Sequence, residues 1–219
     1  MPINNNTLIC FDFETTGKDP LVCWPVEIAG KAYDARSLEP IKDGEFHSMC
    51  KPPDDVIIEQ EALDVTGIKR GDIAAAPSIE VVYPSFIRFV ERFNRKKNKW
   101  EAPVPIGQNI KGFDLKIHSR MLEKFGSKGA DSICFNTFKQ TDLLDILFMW
   151  FENSNELPKF NMDTLRPYFG IETKTAHRAL TDVRITGAII TRFLKFHRTM
   201  MANNPVRFKD AFKGISFDE

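Results

Sequence analysis

Thr7-Leu8-Ile9-Cys10-Phe11-Asp12-Phe13-Glu14-Thr15-Thr16-Gly17 is the stretch from which both the fold and the chemistry are read. Residues 7 to 13 are short, apolar and rich in aromatic and β-branched side chains, the pattern of a buried strand. Alternate residues of a strand share a face, so Asp12 and Glu14 project side by side from one end of it. Two carboxylates a few ångströms apart in apolar company repel, and both lose hydration unless a cation holds them. Paired hard oxygen donors suit Mg²⁺ or Mn²⁺. A strand that simply ends in an acidic turn, with Thr-Thr-Gly as loop punctuation, fits the same residues.

Outward from that strand, residues 26–34 and 44–50 read as two more, spaced for an antiparallel meander. At 78–94 the period becomes helical, with Ile79, Val82, Phe86, Phe89, Val90 and Phe93 on one stripe. The run Arg95-Lys96-Lys97-Asn98-Lys99 that follows reads as a solvated basic turn. Residues 104–107 form a brief strand, and 113–125 a helix. The run 143–151 is apolar almost all round, which predicts a helix buried on most sides. A short helix follows near 162–169, where Pro167 is expected to interrupt it. A long helix over 178–198 carries the stripe Leu180, Val183, Gly187, Ile190 and Leu194. Strands first, then helices alternating with single strands, imply an α/β domain whose mixed sheet is covered on both faces. Residues 1–198 read as one domain and 199–219 as a tail.

The 219 residues are 42% hydrophobic, with 19 phenylalanines, which excludes a disordered chain. Thirty basic residues balance thirty acidic ones, so bulk charge is not what would hold this chain to nucleic acid. Cys10, Cys23, Cys50 and Cys134 form no CxxC pair and read as buried free thiols in a reducing compartment. No apolar run is long enough for a membrane span, and the first residues lack the pattern of a signal peptide, so a cytoplasmic location is expected.

Two further acids stand near apolar stripes. Asp114 opens the 113–125 helix on the face of His118, Met121 and Phe125. That points it inward or along the core edge, and helix capping explains the same placement. Asp182 flanks the stripe residue Val183, and His177 precedes it by five residues. On one helix that spacing would turn the two about 140° apart, so they converge only if His177 lies ahead of the helix. A surface histidine and a first-turn aspartate fit as well.

In this order, Asp12-x-Glu14, then Phe113-Asp114, then His177 with Asp182 resemble the DEDD exonuclease superfamily, specifically its DEDDh (DnaQ-like) branch. The proofreading epsilon subunit of bacterial replicative polymerases typifies that branch. The resemblance spans about residues 7–197 and includes Asn109 and Tyr168-Phe169-Gly170-Ile171. It implies a ribonuclease-H-like α/β fold with a central mixed five-stranded sheet flanked by helices. It also implies that Asp12, Glu14, Asp114 and Asp182 hold two ions, Mg²⁺ or Mn²⁺, with His177 as general base. The reaction would be 3′→5′ hydrolysis of single-stranded DNA, releasing nucleoside 5′-monophosphates. Thr15, Thr16, Gly17, Asn109 and Phe113 would meet the terminal nucleotide, although core packing accounts equally for Phe113. Gln108 stands where the family often has histidine, so no role carries over to it. RNA as substrate, a polymerase or other replication or repair partner, and a catalytically silent nucleic-acid-binding relative are the other expectations. No membrane partner is expected. Trp24 is expected to cover the core, and His118 and His197 to lie on helix surfaces.

Overall fold

Residues 6–126, 134–171 and 178–203 are described by a computed structural model of the chain. The organising element is β1 (Thr7–Thr15), whose alternation sorts its side chains onto two faces. Ile9, Phe11 and Phe13 enter one hydrophobic cluster, and Leu8 and Cys10 enter another. Both sides of β1 are covered, and burying each of these side chains contributes about 1.5–3 kcal/mol.

β1 pairs antiparallel with β2 (Pro25–Asp34), which pairs antiparallel with β3 (Pro40–Met49). On its other edge β1 runs parallel to β4 (Val104–Gly107), and β4 to the two-residue β5 (Thr141–Asp142). The order is β3-β2-β1-β4-β5, the mixed five-stranded sheet that the resemblance implied.

On the Phe11 face lie α3 (Ile79–Glu91) and α4 (Asp114–Phe125). Ser78 caps α3 by accepting from the Glu80 amide, and Ile79, Val82, Tyr83, Phe86 and Val90 form its buried stripe. On the Leu8 face lies the 25-residue α7 (Ala179–Asn203), which runs past position 198, where the apolar periodicity placed its end. Gly187 brings α7 close to β2, because a Cβ there would stand 2.4 Å from the Tyr33 hydroxyl.

α5 (Leu143–Phe151) corrects one expectation. Leu143 and Leu147 are buried, but Phe148 and Met149 are 69% and 67% exposed. The helix packs on α7 from one side only, and apolar composition all round did not reveal which side. Nor does Pro167 interrupt α6 (Met162–Tyr168), since it sits in the last turn, just before Gly170 at φ +65°. Two helices escaped the sequence reading: α1 (Gln60–Thr66) and α2 (Arg70–Ala75). Each is under two turns long, too short for a period to register. Leu63 and Ile73 from this pair pack with Val26 in a small third cluster. Among the described residues no helix is long and apolar enough to cross a membrane.

Candidate active site

Asp12 and Glu14 continue the Leu8–Cys10 side of β1, so they point toward α7 rather than toward the aromatic cluster. Asp182 stands in the first turn of α7, its amide bonded to the Arg178 carbonyl at 3.0 Å. Helix and strand thus converge, and ligand oxygens of Asp12, Glu14 and Asp182 lie within 4.8 Å of one another. Asp114 approaches from the N-terminus of α4. It is buried, and its Oδ1 accepts from the Phe13 amide at 3.1 Å, so it is turned toward β1.

The electrostatics of these acids are adverse. Burial, then the charges of Asp182 and Glu27, pushes the Asp12 carboxyl up to about 7. Burial, then Asp12, Asp182, Glu27 and Asp114, pushes Glu14 up to about 9. Asp114 is raised too, by burial first and Asp12 second. Converging, partly dehydrated carboxylates become stable as anions when a cation joins them, and an all-oxygen donor set fits a hard divalent ion. Asp12, Glu14 and Asp182 could hold it, with Asp114 beside them.

Two neighbours of the cluster escaped the sequence reading. Glu27 lies directly across from Glu14 in the β1–β2 register and is wholly buried. Burial alone would raise its carboxyl, but hydrogen bonds from Arg178 and His47 win and hold it below the usual range. Arg178 forks onto it at 2.9–3.3 Å, and His47 Nε2 lies 2.6 Å from Oε1. Its signal was present: an acid between Val26 and Ile28 is as misplaced as Asp12 between two phenylalanines. Arg166 of α6 is buried, and its guanidinium contacts Asp182. Nothing in the local sequence marks it.

The Thr15-Thr16-Gly17 turn follows Glu14 directly. Thr15 donates to the Gly17 carbonyl at 2.7 Å, and the Thr16 hydroxyl accepts from the Trp24 amide at 3.0 Å. A Cβ on Gly17 would meet the Glu59 carboxylate at 2.5 Å, so any larger residue there would make that exposed side chain shift. Asn109 is held at φ +56°, its amide donating to Asp142 Oδ1 at 2.7 Å. Gln108 donates to the Phe160 carbonyl at 2.7 Å, which ties β4 to the segment ahead of α6. A cavity of about 470 Å³ opens beside Asp12 and Asp182, lined by Gln108, Asn109 and Phe160 among others. Phe113 is half-buried and packs on the aromatic cluster. His177 lies outside the described residues.

Three side chains that the sequence singled out lie outside the site. Trp24 packs on the core edge against Phe125, as expected. His118 does not lie on a helix surface: it is buried, with Nδ1 2.7 Å from the Tyr83 hydroxyl. His197 is exposed.

Residues 9–190 match the RNase_T family, described as exonuclease. The chain belongs to the RNase_T exonuclease family. That membership bears out the DnaQ-like resemblance and with it the enzyme class. A PolC-type DNA polymerase III of Thermotoga petrophila is 27% identical over 192 residues, 87% of this chain and 12% of the polymerase. Exodeoxyribonuclease I of Escherichia coli is 27% identical over 195 residues, 84% of this chain and 39% of that enzyme. The RNase_T domain therefore spans less than half the length of either relative. Among solved structures, a zinc-bound E. coli ExoI–ssDNA complex superposes with a TM-score of 0.69 at 22% identity, over 89% of this chain and 43% of that one. This likeness supports the ribonuclease-H-like fold.

Proposed function

We propose that the chain is a 3′→5′ exonuclease that hydrolyses the terminal phosphodiester of single-stranded DNA and releases nucleoside 5′-monophosphates. The observation that carries this reading is the convergence of Asp12, Glu14 and Asp182, with Asp114 alongside. Asp12, Glu14, Asp114 and Asp182 would hold Mg²⁺ or Mn²⁺, two ions in the mechanism that the resemblance implies. The chemistry supplied there is a lowered water pKa and neutralised charge at the leaving 3′ oxygen. His177 takes the proton from the attacking water, a role suited to an imidazole at neutral pH. Breakage of the P–O3′ bond leaves the phosphate on the departing nucleotide. The Thr15–Gly17 turn and Asn109, next to the cluster, and Phe113, just before Asp114, would position the terminal sugar and base. DNA is favoured over RNA because relatives include an exodeoxyribonuclease and an ExoI–ssDNA complex. A replicative polymerase partner is consistent with the polymerase III relatives.

The deciding experiment uses 5′-labelled single-stranded DNA and RNA of equal sequence, with Mg²⁺ or Mn²⁺ and an EDTA control. A metal-dependent ladder shortening from the 3′ end, faster on DNA and lost in D12A and H177A, is expected. Undiminished hydrolysis in either variant refutes the mechanism. Faster cleavage of RNA moves the substrate to the ribo series.

A further inference from the structure

Arg166 is an unusual occupant of its place. Its side chain is 7% exposed, although arginine is almost never buried unless paired. One Nη contacts Asp182 Oδ1, while the other lies 3.8 Å from Asp163. Its Nε is buried and has no hydrogen-bond partner. A guanidinium placed for its fork geometry would satisfy all its donors. Here one donor is left dry, so the charge of Asp182, rather than the geometry of the fork, accounts for the placement.

We propose that Arg166 is a resident counter-cation of the carboxylate cluster, and that it sets the concentration at which a divalent ion loads. The inference rests on reading Asp12, Glu14 and Asp182 as metal ligands. A guanidinium is a permanent cation in proteins, so its positive charge is a fixed part of the site. A divalent ion drawn by Asp12 and Glu14 must share Asp182 with that guanidinium and tolerate its repulsion. The same contact offsets part of the mutual repulsion of the acids before metal arrives. Removing the charge should therefore tighten metal binding, the reverse of what loss of a merely structural arginine would do.

The test is calorimetric titration of Mn²⁺ into the full chain stripped with a chelator, with no nucleic acid present. R166M should bind Mn²⁺ roughly tenfold more tightly, a modest effect for a unit charge a few ångströms from a dication. R166K retains the charge and should stay within about threefold of the parent chain by the same reasoning. D12A should lose binding. If circular dichroism shows that R166M is unfolded, R166Q is the second uncharged variant and carries the same expectation. Unchanged or weaker Mn²⁺ binding in the uncharged variant, with D12A still abolishing it, overturns the counter-cation and leaves the metal site standing. Absence of Mn²⁺ binding in the parent chain overturns both.

Discussion

On one face of β1, Phe11 lies 5.0 Å from the Phe135 ring and 6.0 Å from Phe86, and the buried polar pair beneath them, Tyr83 and His118, bond to each other. On the other face, Leu8 and Cys10 give way to Asp12 and Glu14, which face Asp182 across the α7 contact. The first face satisfies itself and holds the fold. The second accumulates like charge, tolerated because Arg166 and, at Glu27, the Arg178–His47 pair lie beside it. Local discord of this kind, set in an otherwise consistent structure, fits the metal-holding role proposed for that face.

Substitutions on the two faces should separate activity from stability. The largest effect belongs to the acidic face: E14Q should cut hydrolysis by roughly a thousandfold or more. The metal-free melting temperature should not fall, because a neutral amide replaces a carboxyl that burial and its neighbours already push up to about 9. A parallel drop in melting temperature would show that the acidic face is structural after all. Next, F86A empties a fully buried ring site on the aromatic face and should cost about 3–5 kcal/mol in urea unfolding.

Acid should probe the aromatic face through His118. Burial lowers its pKa to about 4, below the ordinary 6.5, so the unfolded chain binds the extra proton between those values. Stability from this group is therefore full above pH 6.5 and lost as pH falls toward 4, a loss of about 3 kcal/mol. H118Q should flatten that part of the profile in unfolding measured at several pH values. Smaller again, G187A would drive a Cβ into the Tyr33 ring and lift α7 from the sheet, costing about 1–3 kcal/mol. The Y33A/G187A double variant should recover part of it in a double-mutant cycle. Least of all, F148S on the exposed flank of α5 should shift stability by under about 0.5 kcal/mol.

What the sequence disclosed follows the same division. Asp12, Glu14 and Asp182 were legible because each carboxylate sits in or beside an apolar run whose period fixes a face. β1, α3 and α7 were legible from their periods alone. α5 was misread because a run apolar on all sides carries no phase, so the local pattern cannot tell one-sided packing from full burial. His118 was assigned to a surface because its partner, Tyr83, lies on another helix. Arg166 was invisible for the same reason, its environment being set by Asp182 from a separate element. Two residues of β5 are too few for any alternation, yet Asp142 there accepts from the amides of Asn109, Lys111 and Leu144 and so braces the turn that leads to Asp114. Local period reports local structure, whereas partners brought together by the sheet order are written nowhere in one segment.

The docking of α7 on β1 also governs timing. Asp12 and Glu14 leave the ribosome early, within the first strand, whereas Asp182 follows almost the whole of the domain later. Chains are made from the N-terminus, and contacts between distant segments close late. A nascent chain thus carries Asp12 and Glu14 before Asp182 exists, and the carboxylate cluster assembles only when the sheet and its covering helix have come together.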